Sequence, residues 1–265
     1  LTTLDDKGYF FRTAPSDARG GQILADITKD RKIKSVAITY TNNDYGKGLA
    51  DVYEAAVKAH GISVTTVAAH EDGKADYSAE VSVLASAGGD AVAVIGYLDQ
   101  GGKGIIQGSL DSGAFDTFIL SDGMIGQSLV DAFGKGLKKS FGSLPGSTGK
   151  GSKVFADVAS AAGIDSSGPY TSESYDAAAL IVLAMQAGGS ADRASIAKNV
   201  MAVANGPGKK IYPGELGKAL DLLAKGKAVD YEGATGVNFT DVGEAQGSFL
   251  EKEIKGGKFK TKKQR

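Results

Sequence analysis

The 265 residues (27.1 kDa) suffice for one large domain or two of ordinary size, and 42% hydrophobic with 23% charged residues exclude a disordered or fibrous chain. A net charge of −1 provides no field to favour nucleic acid or an anionic membrane, and zero cysteines exclude disulfides, thiolate metal sites and a cysteine nucleophile. No apolar run approaches the ~18 residues of a membrane-spanning helix, and the 38 glycines fall between apolar runs, as turn and cap residues do.

In chain order, Gln22 to Lys29 has a helical pattern, with Asp17 as its N-cap. Near-continuous β-rich apolar runs follow at Ser35 to Tyr40, Ile62 to Ala68, Ala91 to Tyr97 and Thr117 to Leu120. Such runs, without polar alternation, predict strands buried on both faces. Between them, Tyr45 to His60, Tyr77 to Ala87 and Gly102 to Asp111 carry apolar residues at helical spacing; Leu49, Val52, Tyr53, Ala56 and Val57 form one stripe. Strand, helix, strand at this interval is the βαβ unit, so the first half is read as a doubly wound parallel α/β sheet.

The second half reads differently. Phe141 to Ser152 (FGSLPGSTGKGS) is dense in breakers and is expected to be a crossover between lobes. Helices are predicted at Val154 to Ala162, Ser172 to Ala187, Ser195 to Ala204 and Pro213 to Lys225, with Pro213 in a first turn. Only Gly247 to Ile254 and Lys258 to Lys260 read as strand again, and Lys260 to Arg265 as a solvated tail. A largely helical stretch with almost no strand of its own needs a sheet to cover it, and none is visible in this sequence.

The usual catalytic motifs are absent. His60 and His70 have no H-E-x-x-H spacing, and both are expected to be solvated, with His60 at a helix end. Gly146 to Ser152 mimics a phosphate loop, but its Lys150 is followed by Gly151 rather than Ser or Thr. The adjacent pairs Asp5-Asp6 and Glu71-Asp72 lie in polar stretches and read as solvated. The chain is therefore read as not an enzyme, with no cofactor and no metal.

Ligands of open α/β sheets bind outside the carboxyl ends of the strands. Those ends carry Thr41 to Gly46, Gly96 to Gln100 and Ser121 to Met124, three polar loops next to apolar strands, as in a small-molecule pocket. Asp44 reads as the N-cap of the following helix, and Tyr45 and Tyr97 as either packing rings or ligand walls. Asp122, just past a buried strand, either caps a helix or meets a cation, because an unpaired buried charge costs several kcal/mol. Lys47 and Lys103, the nearby cations, read as solvated, which favours an incoming ammonium as its partner.

The run Gly8 to Asp17 (GYFFRTAPSD), Val36 to Tyr40 leading to Asn43 to Ala50 (NDYGKGLA), Gly96-Tyr97, Leu120 to Gly123 and Gly233 to Phe239 (GATGVNF) together resemble the periplasmic solute-binding proteins of branched-chain amino-acid ABC transporters. The resemblance covers essentially the whole chain. It implies the type I periplasmic-binding fold: two Rossmann-like lobes that close by hinge motion on an aliphatic amino acid or similar small amine-bearing solute, in the periplasm, for delivery to a membrane permease. It implies Tyr45, Tyr97 and Asp122 as the substrate-binding residues. The better-known branched-chain binders usually have Glu where this sequence has Asp122, whose shorter arm leaves more room. Alternatives are a ligand-sensing regulator or receptor of the same fold, or a binder of small aromatic carboxylates. The resemblance further places Leu1 after roughly the first third of the mature protein. Residues 9–143 with 247–265 are then expected to form a complete ligand-binding lobe. Residues 1–8 with 144–246 would be the helical remainder of another, completed by a swapped copy or the missing N-terminal segment.

Overall fold

A computed structural model describes residues 2–265. The chain runs α1 (Asp17–Asp30), β1 (Ser35–Thr41), α2 (Asp44–Ala59), β2 (Ser63–His70), α3 (Ser78–Ala87), β3 (Ala91–Ile95), α4 (Lys103–Ser112), β4 (Phe118–Leu120), α5 (Gln127–Phe133) and β5 (Phe141–Pro145). It continues with α6 (Lys150–Ala161), α7 (Thr171–Gly188), α8 (Arg193–Ala204), β6 (Lys209–Ile211), α9 (Leu216–Ala224), β7 (Val229–Tyr231), β8 (Phe249–Lys255) and β9 (Lys258–Gln264). It divides into two compact units, residues 17–144 with 249–265 and residues 1–16 with 145–248.

The first unit is built on a seven-stranded sheet of order β2-β1-β3-β4-β5-β8-β9, parallel from β2 through β5, with β8 and β9 antiparallel. Alternate residues of each strand enter separate cores. Val36, Ile38, Ala91, Ala93, Ile95 and Ile119 face α1 and α2 through Leu24, Ile27, Leu49 and Tyr53. Ala37, Val92, Val94, Phe118 and Leu120 face α3 and α4 through Val81, Leu84, Ile105 and Ile106. Both faces being covered is the physical reason for the continuous apolar runs in the sequence.

Several expectations are corrected. Phe141 to Pro145 is a buried strand of the sheet rather than part of a crossover. Gly142 is required there by close approach, since a Cβ would strike the Leu120 carbonyl. Its glycine and proline disguised a strand that lies beside β4. The lysine-rich end is not a solvated tail. It forms β9, an edge strand paired antiparallel with β8 and exposed along its length except at Phe259. Arg265 exchanges backbone hydrogen bonds with Phe249 and donates from its guanidinium to Glu251. Helix α1 begins at Asp17, five residues before the predicted Gln22, so Asp17 lies in the first turn rather than at the cap.

Glu251 is 1% exposed and is held by Arg265 at 2.5 Å and Arg31 at 2.7 Å. Burial pushes its carboxyl up, but the two guanidinium groups outweigh burial and hold it below the ordinary glutamate value. A lowered folded value means a stabilisation that is complete above about pH 4.3, the unfolded value, and is lost as pH falls through the folded one. Acid titration followed by urea unfolding is expected to show this loss in the wild type and its absence in Glu251→Gln.

The second unit holds helices α6 to α9 and a parallel pair, β6 and β7, which sequence reading missed because KKI and VDY mix charged with apolar residues and form no apolar run. Residues 9–16, expected in the other lobe, pack here: Arg12 pairs with Glu244, its backbone bonds Gly243 and Ala245, and Phe11 lies 5.6 Å from Phe239. Helix α9 starts at Leu216, leaving Pro213 in the preceding turn, where Tyr212 N donates to Glu215. Its core joins α7, α8 and α9 through Leu180, Leu183, Val200, Val203 and Ala219. Beside that core lies an open apolar groove of about 440 Å³ lined by Tyr9, Phe11, Leu180, Ile181, Ile196 and Val200. Ile181 at 48% and Val182 at 44% exposed extend the apolar surface on α7.

Candidate functional site

The candidate site lies at the carboxyl edge of the seven-stranded sheet. The turn after β1 is set by Asn43, whose side chain accepts from Gly46 N at 2.9 Å and caps α2. This corrects the expectation that Asp44 is the cap: Asp44 is the first helical residue, one position too late to be the cap. A Cβ on Gly46 would collide with the Thr41 carbonyl, so glycine there lets the helix start close against the strand end.

Tyr45 is carried by that first turn, Tyr97 follows β3, and Asp122 follows β4. The structure brings all three predicted residues together. The Tyr45 hydroxyl donates to Asp122 Oδ1 at 2.7 Å and lies 3.1 Å from Ser121 Oγ. The Tyr45 and Tyr97 rings stack, with centroids 5.3 Å apart and planes at 29°. All three side chains are partly exposed. Burial, and then the Asp122 charge, push the Tyr45 phenol far above its ordinary range, so it remains a hydrogen-bond donor at any physiological pH. The outcome is a carboxylate steered by a phenol and walled by two aromatic faces, able to accept charge-assisted hydrogen bonds from an ammonium group.

Ser121 is the site residue that sequence reading passed over. Its hydroxyl accepts from Gly96 N at 3.2 Å and neighbours Tyr45, so it ties the β3 and β4 loops together. A small hydroxyl at a strand end carries no local pattern that would have singled it out. Lys47 pairs with Asp51 and Lys103 with Asp99, each one helical turn away, as expected for solvated cations.

His60 sits at the end of α2 as expected, but its ring is only partly exposed rather than solvated, with Nε2 2.7 Å from Asp26. His70 does not: it is the last residue of β2 and is 1% exposed, because β2 continues two residues past the predicted Ala68. Asp72 and Glu71 are exposed, and each accepts from the end of β1, through Thr41 and Asn42. Among the described residues no cluster of three or more His, Asp or Glu side chains is placed to hold a metal, and no helix is long and apolar enough to cross a membrane.

Comparison with known proteins identifies the family and the fold. A Leu/Ile/Val-binding protein homolog 3 from Brucella melitensis is 39% identical over 93 residues, 35% of this chain and 25% of that protein. A chemotactic signal transduction system substrate-binding protein, BasB, from Halobacterium salinarum is 26% identical over 235 residues, 88% of this chain and 55% of its own length. In that alignment the chain spans about half of its relative. The crystal structure of the branched-chain amino acid transporter substrate-binding protein LivJ from Streptococcus pneumoniae, in complex with isoleucine, superposes with a TM-score of 0.74 at 19% identity, over 99% of this chain and 70% of that one. The sequence profile described as periplasmic binding protein matches residues 1–241, and the chain accordingly belongs to the periplasmic binding protein family.

Proposed function

We propose that this chain belongs to an extracytoplasmic, periplasmic solute-binding protein of an ABC importer. Its ligand is an aliphatic, branched-chain amino acid or a similar small amine-bearing solute, handed to a membrane permease; its role is binding rather than catalysis. The observation that carries this reading is Asp122, partly exposed at the sheet edge, with Tyr45 donating to it and Tyr97 stacked on Tyr45. The carboxylate pairs with the ligand ammonium, and the rings wall its aliphatic portion. A thermal-shift screen over aliphatic amino acids, γ-aminobutyrate and small aromatic carboxylates tests it. Stabilisation grows as RT ln(1 + [L]/Kd), about 2.7 kcal/mol at 100 times Kd. Shifts confined to amine-bearing ligands support the reading, and shifts with aromatic carboxylates alone reject it. The chemotactic signalling for which the Halobacterium relative is named favours, as a second reading, a sensor using the same site.

We further propose that residues 17–144 with 249–265 form a whole ligand-binding lobe, and that the other unit is the helical part of a second lobe. Among the described residues that unit has two strands of three residues each and the exposed α7 face. A face of this kind is expected to be covered by a strand-bearing segment in full-length relatives. The 265-residue chain by itself should bind an apolar dye such as anilinonaphthalene sulfonate, or self-associate in native mass spectrometry. A dye-silent monomer of 27.1 kDa contradicts the assignment.

A further inference from the structure

Beneath the Tyr97 turn lies a titratable group that the binding reading does not use. His70 Nδ1 is 2.9 Å from Thr39 Oγ1, which fixes the ring from the β1 side. Its Nε2 is buried and has no hydrogen-bond partner among the described residues. That nitrogen faces the side on which two glycines lack a Cβ. A Cβ built on Gly96 would lie 3.1 Å from Nε2, and one on Gly101 would lie 3.3 Å from it and 2.9 Å from Tyr77 Oη. The turn Leu98–Gly102 therefore closes directly over the imidazole. It is held by Gly102 N donating to Tyr97 O at 3.0 Å, Gly73 N donating to Gln100 O at 2.5 Å, and Tyr77 Oη 2.8 Å from Gln100 O.

We propose that His70 is a positioning residue for the Tyr97 turn: the neutral imidazole braces Gly96 and Gly101, and its protonation opens the turn and withdraws Tyr97 from the site. Protonated, both ring nitrogens carry hydrogens, and Nε2–H finds no acceptor where the two glycine backbones meet it. A buried, unpaired cation is strongly disfavoured, and letting water in through the turn relieves it. Tyr97 begins that turn and stacks on Tyr45, so opening removes one wall from the Asp122 carboxylate.

The charged and titratable surroundings oppose one another. Glu71 and Asp72, after β2, and Glu80, on α3, favour the imidazolium. Lys74 is bound to Glu80 at 2.5 Å and offsets part of that field, while the Tyr77 ring, 6.2 Å away edge-on, is pinned to backbone carbonyls. On the turn and α4, Asp99 and Lys103 neutralise each other at 2.6 Å. Burial is the largest influence and holds His70 below its ordinary value. The sign follows from linkage: the open turn takes the proton first. The closed turn is fully favoured above about pH 6.5 and is progressively lost as pH falls through the closed-state value.

With two histidines in the chain, the imidazoles can be followed individually by NMR. During an acid titration His70 is expected to titrate below about pH 6.5. Hydrogen exchange at Gly102, corrected for the intrinsic rate, should rise about tenfold per pH unit over the interval between the open and closed values. In His70→Phe, and in His70→Gln should the former not fold, Gly102 protection should stay flat with pH. A His70 titration near 6.5 with Gly102 unchanged, or the same acid-dependent exchange in a folded variant, overturns the proposal. Its consequence for binding rests on the amino-acid reading above: calorimetric affinity for L-leucine should weaken between about pH 7.5 and about pH 5 in the wild type and less in the variant. Absence of leucine binding at either pH counts against that reading alone, since the exchange measurement still decides the role of His70.

Discussion

Asp122→Asn is expected to weaken an amine-bearing ligand such as L-leucine by on the order of 2–5 kcal/mol, roughly thirtyfold to several thousandfold in Kd. The substitution keeps the shape and leaves an oxygen for the Tyr45 hydroxyl, which now donates at 2.7 Å. What is lost is the charge. A carboxylate beside two stacked rings is partly shielded from water, so its attraction to an ammonium exceeds that of an exposed pair. The Tyr45 bond makes the effect specific: the phenol, driven to remain protonated by burial and by Asp122, orients the carboxylate before the ligand arrives. Calorimetry on the wild type and the variant checks this, with circular dichroism confirming equal folding. An unchanged affinity rejects the ammonium role of Asp122.

Asp176→Ala should unfold the helical unit more readily, by about 3–5 kcal/mol, because it strands several buried donors together. Asp176, on α7, is fully buried and accepts from the Tyr231 hydroxyl at 2.9 Å and from Ala234 N at 2.7 Å. It also accepts from Thr235, through the backbone at 2.9 Å and the hydroxyl at 2.7 Å. One side chain thus joins α7 to the end of β7 and to the turn that follows it. With alanine, Tyr231, itself buried, loses its acceptor, and the backbone amide of Ala234 has no carboxylate to replace water. Asp176→Asn keeps the volume but turns an NH₂ group toward donors, so it recovers only part of the loss. Urea unfolding followed by helical circular dichroism measures both. A destabilisation below about 1 kcal/mol in the alanine variant shows that the hub is not what joins these elements.

The parts of the fold legible in the sequence were those where burial on both faces writes itself into composition. Strands β1, β3 and β4 are β-rich, mostly apolar runs without charged residues because α1 and α2 cover one side and α3 and α4 the other. Strand β5 was hidden, since its place in the sheet is secured by the missing side chain of Gly142 rather than by an apolar run. Strand β9 was hidden by lysines that face solvent. At the site, Tyr45, Tyr97 and Asp122 could be nominated because each directly follows a readable strand. Ser121 and His70 could not, because their roles come from neighbours 25 and 31 residues away in sequence, Gly96 and Thr39. The cap at Asn43 rather than Asp44 turns on one residue of register, which adjacent side chains of similar capping preference do not resolve.

We propose that the Tyr45, Tyr97 and Asp122 edge recognises the ammonium of an aliphatic amino acid. Calorimetric titration of the wild-type protein with L-leucine, and in parallel with 4-methylpentanoate, which is leucine without its amine, tests it most directly. Leucine is expected to bind saturably and the deaminated acid at least thirtyfold more weakly, about 2 kcal/mol. Equal affinity for the two, or binding of the deaminated acid alone, would contradict it.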